Sequence, residues 1–401
     1  MKFGIIKERK NPPDRRVVFS PQKLLEFQSL FPNARLKVER SDIRVFSDKS
    51  YLEAGIEVSE DLSDCDVLIG VKEVPIAALI PNKKYFFFSH TIKKQPYNRK
   101  LLQVILDKHI TLYDHEAIMK ENGDRLIGFG RYAGIVGAYN GFRAYGLKNN
   151  CFYLPKAESL SDQKALIHEL KAIKLPPVKI LLTGSGKVAN GAKEMLDAMH
   201  IQTVSVDDYL QKTFKEPVYC MIGVLDYNKR KDGRIVHNKD FYDYPENYAS
   251  DFMRFAKVTD YFIAGHFYGA GSPYLFTRED AQSKAFRITV VADISCDIDG
   301  PIASTFRAST IADPIYGYDP KTGTEVDFRN SNAMAVMAVD NLPCELPKDA
   351  SEGFGSLFLE HVIPAFFNND KEGILHRAKI TEGGKLTERY RYLQGYVNGK
   401  E

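Results

Sequence analysis

Hydrophobic and polar positions follow two alternating patterns along this chain. Short runs that are apolar throughout, such as VLIGV at 67–71 and YFFFS at 85–89, are separated by segments such as PQKLLEFQSLF, where apolar residues recur every three or four positions. Strands that are apolar on both faces are typical of a parallel sheet covered by helices, and the spaced segments are typical of those helices. The pattern predicts an α/β protein built from strand–helix–strand units.

The same order of elements occurs twice. A helical stretch rich in small residues, at about 130–148, is followed by VKILLTGSGKVANGAKEML, which again has the order strand, turn, helix. The series continues through DYFIAGHFYG and ITVVADISCD. A chain of 401 residues is long enough for two domains, and we expect a second domain to begin here. The segment 212–250 carries no recognisable motif and is expected to be a loop.

Composition excludes several classes of protein. The net charge is +3, with 44% hydrophobic and 27% charged residues, and there is no long basic run, so neither nucleic acid nor disorder is indicated. No signal peptide or membrane span is evident, which favours a cytoplasmic protein with small-molecule substrates, with or without self-association. Scattered cysteines without CxxC spacing indicate neither disulfides nor a metal site. They are Cys65, Cys151, Cys220, Cys296 and Cys344.

A glycine-rich turn predicts a dinucleotide site. In KILLTGSGKVANGA, Gly184 permits a tight turn after a strand, and Gly186 lets the backbone approach a pyrophosphate. The phosphates would then bind N–H groups at the start of the helix, near Lys187 and Val188. Ala189 replaces the third glycine of the GxGxxG pattern and is small enough for close packing of helix and strand. The alternative is a glycine turn that binds no ligand.

An acidic residue follows at the spacing expected for a ribose ligand. The run IQTVSV is predicted to be the next strand and to end at Asp207, about 20 residues beyond the turn. Asp208 is the alternative ligand. A carboxylate there slightly favours NAD over NADP, because the 2′-phosphate of NADP would meet a like charge, although neighbouring cations could offset this.

Two apolar runs are each followed by a residue that can transfer protons. Lys72 follows the first run and His90 follows the second. Ligands of open α/β sheets bind at the carboxyl ends of the strands, so both side chains are predicted to face the substrate. Each residue alone is more often an ordinary surface or structural group. Together they are candidates for general acid–base catalysis.

Several longer motifs carry a family resemblance. The chain contains, in order, VKE, FFFSHTIKKQ, LYDHE, GFGRYAG, TGSGKVANGA, ADISCD and DNLPCELPKDASEGFG. In these motifs it resembles the saccharopine dehydrogenase (L-lysine-forming) and lysine–2-oxoglutarate reductase family, a branch of the alanine dehydrogenase and transhydrogenase superfamily. It is most similar to the reductase domain of aminoadipic semialdehyde synthase. The resemblance extends to about residue 395.

The resemblance implies a fold and a reaction. It implies two Rossmann-like domains with parallel sheets and an active-site cleft between them. The catalytic domain would comprise residues 1–134 and 345–401, and the dinucleotide-binding domain residues 135–344. The implied reaction is the reversible condensation of L-lysine with 2-oxoglutarate to saccharopine, with NAD or NADP as cofactor.

The resemblance also assigns acid–base residues. Lys72 and His90 match the catalytic lysine and histidine of the family. Glu73 and Glu116 match acidic residues that would raise the pKa of the lysine, and the alternative is that they are ordinary surface acids. Lysine and histidine suit these roles because burial and neighbouring charges bring their pKa values near the working pH.

Cations are needed for the three carboxylates of saccharopine, and guanidinium binds carboxylate in a bidentate manner. Arg16, rather than Arg15, matches the carboxylate-binding arginine of the family. Lys93 and Arg131 are further candidates, and the alternative is that they are capping or solvated charges.

Three positions in the second domain complete the predicted site. Asp297 is preferred to Asp293 as the acid near the nicotinamide, and Gly265 would let a loop approach the cofactor. His266 departs from the aliphatic residue that is usual in related enzymes, and packing alone would explain it.

Two alternatives stay open at this point. The first is a related amino-acid dehydrogenase that uses another pair of keto acid and amine, because the fold and the acid–base pair could serve either. The second is a nucleotide-sensing protein without turnover. The choice between NAD and NADP, the direction of the reaction in the cell and the oligomeric state also stay open.

Overall fold

The chain folds into two compact units. The computed structural model describes residues 1–235 and 237–400, so Val236, which falls in the segment expected to be a loop, and Glu401 lie outside the described residues. The first unit comprises Met1–Phe129 and Pro347–Glu401, and the second comprises Gly130–Leu346. The boundaries expected from the sequence lie close to these divisions. The assignment of catalysis to one unit and dinucleotide binding to the other stays a prediction.

Thirteen α-helices occur in the described residues. They are α1 (Pro21–Leu30), α2 (Asp48–Glu53), α3 (Arg99–Asp107), α4 (Gly130–Asn149), α5 (Gln163–Ala172), α6 (Lys187–Ala198), α7 (Val206–Gln211), α8 (Asn238–Asp243), α9 (Met253–Ala256), α10 (Arg278–Ala281), α11 (Pro347–His361), α12 (Ile374–Ala378) and α13 (Gln394–Val397).

The described residues also contain eighteen strands. They are β1 (Lys2–Ile5), β2 (Arg35–Glu39), β3 (Glu57–Ser59), β4 (Val67–Ile69), β5 (Lys84–Phe87), β6 (Thr111–Asp114), β7 (Lys179–Thr183), β8 (Gln202–Thr203), β9 (Val218–Ile222), β10 (Asn228–Arg230), β11 (Tyr248–Ser250), β12 (Tyr261–Ala264), β13 (Val290–Asp293), β14 (Ile315–Asp319), β15 (Thr324–Val326), β16 (Met334–Met337), β17 (Thr381–Glu382) and β18 (Lys385–Leu386).

The main sheet of the first unit is parallel throughout. Its strand order is β3-β2-β1-β4-β5-β6, and all pairs run in the same direction. The central strands β4 and β5 are buried along most of their length, as their continuous apolar runs predicted. Because the strands are parallel, their carboxyl ends lie along a single edge of the sheet.

The C-terminal segment of the chain, residues 347–401, packs into the first unit. Strand β6 is bound by the C-terminal segment, since Leu112 N–H donates to Thr381 Oγ1 at 3.0 Å and Ile380 N–H donates to Leu112 O at 2.8 Å. Helix α11 holds the loop after β1, because Ser351 Oγ accepts the N–H of Val17 at 3.0 Å. Residues far apart in sequence therefore share one hydrophobic core.

The sheet of the second unit is mixed. Its strand order is β15-β14-β16-β13-β12-β7-β9-β8, and the pairs from β16 to β8 are parallel. Strand β14 runs antiparallel to both β16 and β15, so the expectation of a purely parallel sheet is corrected at this edge. The central parallel strands confirm the predicted α/β class.

Two local predictions in the second unit were wrong. The run IQTVSV does not form a strand as far as Asp207, because β8 ends at Thr203 and Ser205 caps helix α7 by accepting the N–H of Asp208. The segment 212–250 is not a loop, since it contains β9, β10, α8 and β11. Strand β9 lies between β7 and β8 and is therefore the direct neighbour of the glycine-rich turn.

The small residues of α4 are explained by close packing. A Cβ atom on Gly134 would lie 2.0 Å from Val188 O of helix α6, and one on Gly137 would lie 2.5 Å from the side chain of Ile294. In return, a Cβ on Gly191 of α6 would lie 2.0 Å from Arg131 O. The glycines thus allow the two helix backbones to approach each other more closely than larger residues would permit.

Within residues 1–235 and 237–400, no helix combines the length and the apolar character needed to cross a bilayer. The same residues contain no group of three metal-ligating side chains, and all five cysteines are free thiols.

Candidate active site

Titratable side chains cluster at the carboxyl edge of the first sheet. Glu8 follows β1, Lys72 follows β4, His90 follows β5, and Glu116 follows β6. Parallel strands place these four positions at the same edge. The structure therefore brings together the two predicted acid–base residues and a predicted acid, and it adds Glu8, which the sequence analysis did not identify.

His90 lies between two carboxylates. Its Nε2 atom is 3.6 Å from Glu73 Oε1, and its Nδ1 atom is 3.6 Å from Glu116 Oε2. The ring stacks on Phe88, with a centroid distance of 6.2 Å and an interplanar angle of 17°. A carboxylate beside each ring nitrogen orients the ring, which suits a residue that accepts and returns a proton.

The backbone at His90 is in an uncommon conformation. Its φ angle is 53°, in the left-handed region that residues other than glycine seldom adopt. The preceding turn is held by Asp114, which accepts the N–H of Ser89 at 3.0 Å and also its hydroxyl. Asp114 accepts the N–H of Glu116 as well, at 2.7 Å. One buried carboxylate therefore links the turns that carry His90 and Glu116, and burial raises its own pKa.

Glu116 is the centre of a local ion-pair network. Its side chain is 6% exposed, with Lys93 Nζ 2.9 Å and Arg125 Nη2 3.5 Å from Oε1. Burial alone would raise the pKa of Glu116, but His90, Lys93 and Arg125 lower it to about 2. The carboxylate is therefore charged throughout the physiological range. The predicted substrate-binding residue Lys93 already has an acidic partner here.

Arg16 forms a buried ion pair with Asp14. Both side chains are 2% exposed, and Arg16 donates from Nε to Asp14 Oδ1 at 3.0 Å and from Nη2 to Oδ2 at 2.6 Å. The guanidinium carbon lies 4.3 Å from the centre of the Phe129 ring. Burial opposes the charge of Asp14, yet Arg16 lowers the pKa of this carboxyl to about 2. Arg16 is thus a fixed cation near the edge that carries Lys72, whose charge also lowers the pKa of Asp14.

Glu8 binds the backbone beside Lys72. Its carboxylate accepts the N–H of Val71 at 2.7 Å and the N–H of Lys72 at 2.8 Å. Burial raises the pKa of Glu8 to about 7, and Asp14 acts in the same direction, whereas the two N–H groups and Arg16 lower it. Glu8 is therefore a buried acid that titrates near neutral pH.

We expect Glu8 to make stability depend on pH. Because its pKa rises from 4.5 to about 7 on folding, its full contribution to stability is present below pH 4.5 and is lost as the pH rises through about 7. A Glu8→Gln variant lacks this titration. Relative to wild type, the unfolding free energy of the variant should rise by about 3 kcal/mol between pH 4.5 and pH 8. Urea unfolding at several pH values measures it, and a constant difference would contradict the assignment.

The glycine-rich turn of the second unit has the geometry of a phosphate-binding turn. Gly184 follows β7 with a φ angle of 103°, and a Cβ there would lie 2.6 Å from Gly265 O. Gly186 precedes α6, and a Cβ on it would meet nothing within 4 Å, so the space beside the helix N-terminus is open. The N–H groups of the first helical residues, Lys187 and Val188, have no acceptor within the helix. These features fit the pyrophosphate of a dinucleotide.

Gly186 and Gly191 provide a matched pair of tests. Gly186→Ala places its methyl group in open space at a φ angle of −86°, so stability should change by less than about 1 kcal/mol while dinucleotide affinity falls at least tenfold. Gly191→Ala instead forces a methyl group against Arg131 O and should cost about 1–3 kcal/mol of stability. Calorimetric titration with reduced dinucleotide and thermal unfolding measure the two effects. Unaltered affinity in Gly186→Ala would contradict the phosphate assignment.

Asp207 does not occupy the predicted position. It lies exposed in the first turn of helix α7, whereas β9 is the strand beside β7. Directly after β9, Gly223 N–H donates to Asp226 Oδ2 at 2.7 Å. Asp226 is therefore the acid that follows the strand adjacent to the turn. This removes the structural basis of the preference for NAD that was drawn from Asp207.

The remaining positions of the second unit follow neighbouring strands. Gly265 comes directly after β12, and a Cβ there would lie 3.1 Å from the Cα of Ala189. His266 is buried and its Nδ1 is 2.7 Å from Thr183 Oγ1, and burial lowers its pKa to about 4. Asp297 lies in the turn after β13, where burial, followed by the charge of Asp293, raises its pKa to about 6.

Arg131 belongs to the second unit and has a partner there. Its guanidinium donates from Nε and Nη2 to Glu194 of α6, both at 2.6 Å, and packs on the ring of Tyr132. This bidentate pair joins the start of α4 to α6. The contacts agree with the alternative of a structural charge, and its role toward a substrate stays a prediction.

Several site residues were not identified from the sequence. They are Glu8, Asp14, Asp114, His115, Phe129 and Asp226. The rule that selected Lys72 and His90, a titratable group just after an apolar run, would also have selected Asp114.

Part of the chain matches a known protein family. Residues 4–136 match the family described as alanine dehydrogenase/PNT, N-terminal domain. The matched stretch includes the titratable residues of the first sheet edge described above.

Two relatives match the chain over most of its length. The chain is 29% identical over 437 residues to alpha-aminoadipic semialdehyde synthase of Arabidopsis thaliana, covering 97% of this chain and 41% of that protein. It is 24% identical over 339 residues to saccharopine dehydrogenase [NAD(+), L-lysine-forming] of Yarrowia lipolytica, covering 81% and 82%. The chain thus spans less than half of the first relative. These relatives confirm the resemblance seen in the motifs.

Solved structures show the same fold. An L-alanine dehydrogenase superposes with a TM-score of 0.64 at 15% identity, covering 100% of both chains. This confirms the predicted α/β fold with two Rossmann-type units.

Proposed function

We propose that this protein is a nicotinamide-dependent oxidoreductase that reversibly condenses L-lysine with 2-oxoglutarate to form saccharopine. The observation that carries the proposal is the sheet edge where Lys72 lies beside the buried pair Arg16–Asp14 and His90 lies between Glu73 and Glu116. The names of the relatives, saccharopine dehydrogenase and aminoadipic semialdehyde synthase, point to the same chemistry.

In this proposal, the first sheet edge performs the proton transfers of imine formation. The imidazole of His90 accepts the proton that the ε-amine of lysine loses when it attacks the ketone. The ammonium of Lys72 donates a proton to the hydroxyl that leaves as water. In the reverse direction each group returns its proton. Glu73 and Glu116 orient the ring of His90.

Fixed cations in the same edge bind the carboxylates of the substrate. Arg16 is held by Asp14 and Phe129, so little side-chain entropy would be lost when it binds a carboxylate. Lys93 is 46% exposed and is the second candidate, although it would have to share its charge with Glu116. Arg131 is paired with Glu194 and ranks below both.

The second unit supplies the dinucleotide site in this proposal. Gly186 and the N–H groups of Lys187 and Val188 bind the pyrophosphate, while Gly265 and Asp297 lie at the ends of the neighbouring strands. We assign the acid next to the turn to Asp226 rather than Asp207, because β9 adjoins β7. The reduced nicotinamide supplies a hydride when bound. NAD and NADP are both allowed by this site.

Initial rates test the proposal directly. Purified protein is given lysine and 2-oxoglutarate with either NADH or NADPH, and oxidation of the cofactor is followed by absorbance. We expect saccharopine to form with at least one cofactor and the rate with pyruvate and ammonia to be at least 100-fold lower, because a site that binds three carboxylates should reject smaller acids. The absence of saccharopine with both cofactors would refute the proposal, and faster turnover of pyruvate and ammonia would favour an alanine dehydrogenase-like activity.

A further inference from the structure

The backbone that carries Lys72 is held from two sides by buried side chains. On one side, the Glu8 carboxylate accepts the N–H groups of Val71 and Lys72, at 2.7 and 2.8 Å. On the other side, His115 Nε2 lies 2.7 Å from the carbonyl oxygen of Gly70. Two consecutive peptide groups after β4, Gly70–Val71 and Val71–Lys72, are therefore fixed by side chains that follow two other strands, β1 and β6.

The tautomer of His115 follows from its contacts. A carbonyl oxygen only accepts, so Nε2 must carry the hydrogen that it donates to Gly70. The ring is fully buried beside Phe88, Phe354 and Phe358, with centroid distances of 5.0, 5.2 and 5.6 Å. Burial lowers the pKa of His115 to about 4, so the ring is neutral at pH 7. It acts as a fixed donor and not as a proton carrier.

The fit of the segment is close. A Cβ atom on Gly70 would lie 2.7 Å from the side chain of Ile6, which precedes Glu8 by two residues. A larger residue at this position would therefore force the side chain of Ile6 to move. The side chain of Lys72 leaves this fixed backbone, and Glu8 binds the peptide N–H of the same residue.

We propose that Glu8 and His115 are positioning residues that clamp the peptide groups Gly70–Val71 and Val71–Lys72 and so fix the direction of the Lys72 side chain. Their effect on catalysis rests on the proposed function, whereas the clamp itself does not. Neither residue contacts the substrate in this proposal. A catalytic ammonium must be held within a fraction of an ångström to transfer its proton efficiently, and displacement of about 1 Å can cost about 100-fold in rate.

The burial of Glu8 supports a role beyond stability. The charge of Asp14 raises the pKa of Glu8, and the charge of Arg16 lowers it. The carboxylate also accepts the two N–H groups. Burying a carboxylate lowers stability unless its partners offset the loss of solvation. A neutral residue in its place would avoid this loss, whereas the carboxylate accepts both N–H groups.

Two readouts test the clamp in the full-length protein. In Glu8→Gln, one side-chain oxygen is replaced by an amide group that cannot accept an N–H, so hydrogen exchange at Val71 and Lys72 should accelerate about tenfold. With lysine and 2-oxoglutarate, kcat should fall about 10- to 100-fold while the KM for reduced dinucleotide stays within twofold.

His115 offers an independent pair of variants. In His115→Gln the amide nitrogen can still donate to Gly70 O, and kcat should stay within about threefold of wild type. In His115→Leu the carbonyl loses its donor, and kcat should fall at least tenfold. Recovery by glutamine but not by leucine is a result that general damage to the core would not produce.

Asp370 provides a matched control. Its carboxylate likewise accepts two backbone N–H groups, those of Leu375 at 3.0 Å and His376 at 2.8 Å. Asp370→Asn should leave kcat within twofold and should not alter exchange at Val71 and Lys72. If Glu8→Gln lowers kcat no more than Asp370→Asn, or if exchange at Val71 and Lys72 is unchanged, the positioning proposal is overturned.

The outcomes separate this proposal from the proposed function. If the wild type forms no saccharopine, the proposed function fails, and hydrogen exchange in Glu8→Gln and Asp370→Asn alone decides whether the clamp exists. If the wild type is active but Glu8→Gln keeps full kcat, the clamp has no part in catalysis and the proposed function stands.

Discussion

A Lys72→Met variant should retain its fold and lose 10²- to 10⁴-fold in kcat for saccharopine formation, the range that a positioned acid–base group usually contributes. Methionine keeps most of the length and the apolar character of the lysine stem but cannot donate a proton to the departing hydroxyl. Its backbone N–H still binds Glu8, so the segment should remain in place. Initial rates with lysine and 2-oxoglutarate at saturating cofactor measure the loss.

The matched control is Lys49→Met. Lys49 lies on α2 of the same unit, is 83% exposed and pairs with the exposed Glu53 at 3.5 Å. Its variant should be as active as wild type. If Lys72→Met also retained full activity, the acid–base assignment would be wrong, and a binding protein without this chemistry would become the better hypothesis.

The second large effect is expected at Arg16. An Arg16→Met variant leaves Asp14 as a buried carboxylate without its cation, which should cost about 3–5 kcal/mol of stability at pH 7. Because the pKa of Asp14 is lowered from 3.8 to about 2 in the folded protein, the stability that this group contributes is present above pH 3.8 and is lost as the pH falls through about 2. Urea unfolding at pH 7 measures the cost.

A double variant separates stability from function at this pair. Combining Arg16→Met with Asp14→Asn removes both charges, so most of the lost stability should return. The KM for 2-oxoglutarate should stay raised at least tenfold, since no guanidinium is left to bind a carboxylate. If the double variant recovers a normal KM, Arg16 is a structural residue only.

The strand-end rule explains how much of the site could be predicted. Lys72 and His90 were found because each follows a long apolar run, and burial of a parallel strand leaves a clear signal in the sequence. Glu8 and Asp14 were missed because they stand in KERKNPPDRR, where most residues are charged. Only the fold decides which of these charges become buried, and sequence periodicity carries no information on that choice.

The position of Asp207 shows a different limit. Spacing alone placed it after the strand next to the glycine turn, but β9 takes that place instead, and its VYCMI lies in a segment rich in charged and aromatic residues. Which strand pairs with β7 is decided by tertiary contacts between distant segments, not by local propensity. The flanking carboxylates of His90 likewise depend on the order of strands in the sheet.

The return of residues 347–401 to the first unit has a consequence for biosynthesis. A chain made from its N-terminus completes the contiguous second unit before the first, because the partners of β6 and of the loop after β1 are translated after it. During that interval the apolar surface that α11 covers stays exposed on the nascent chain. Chaperones would therefore bind this surface until residues 347–401 have been made.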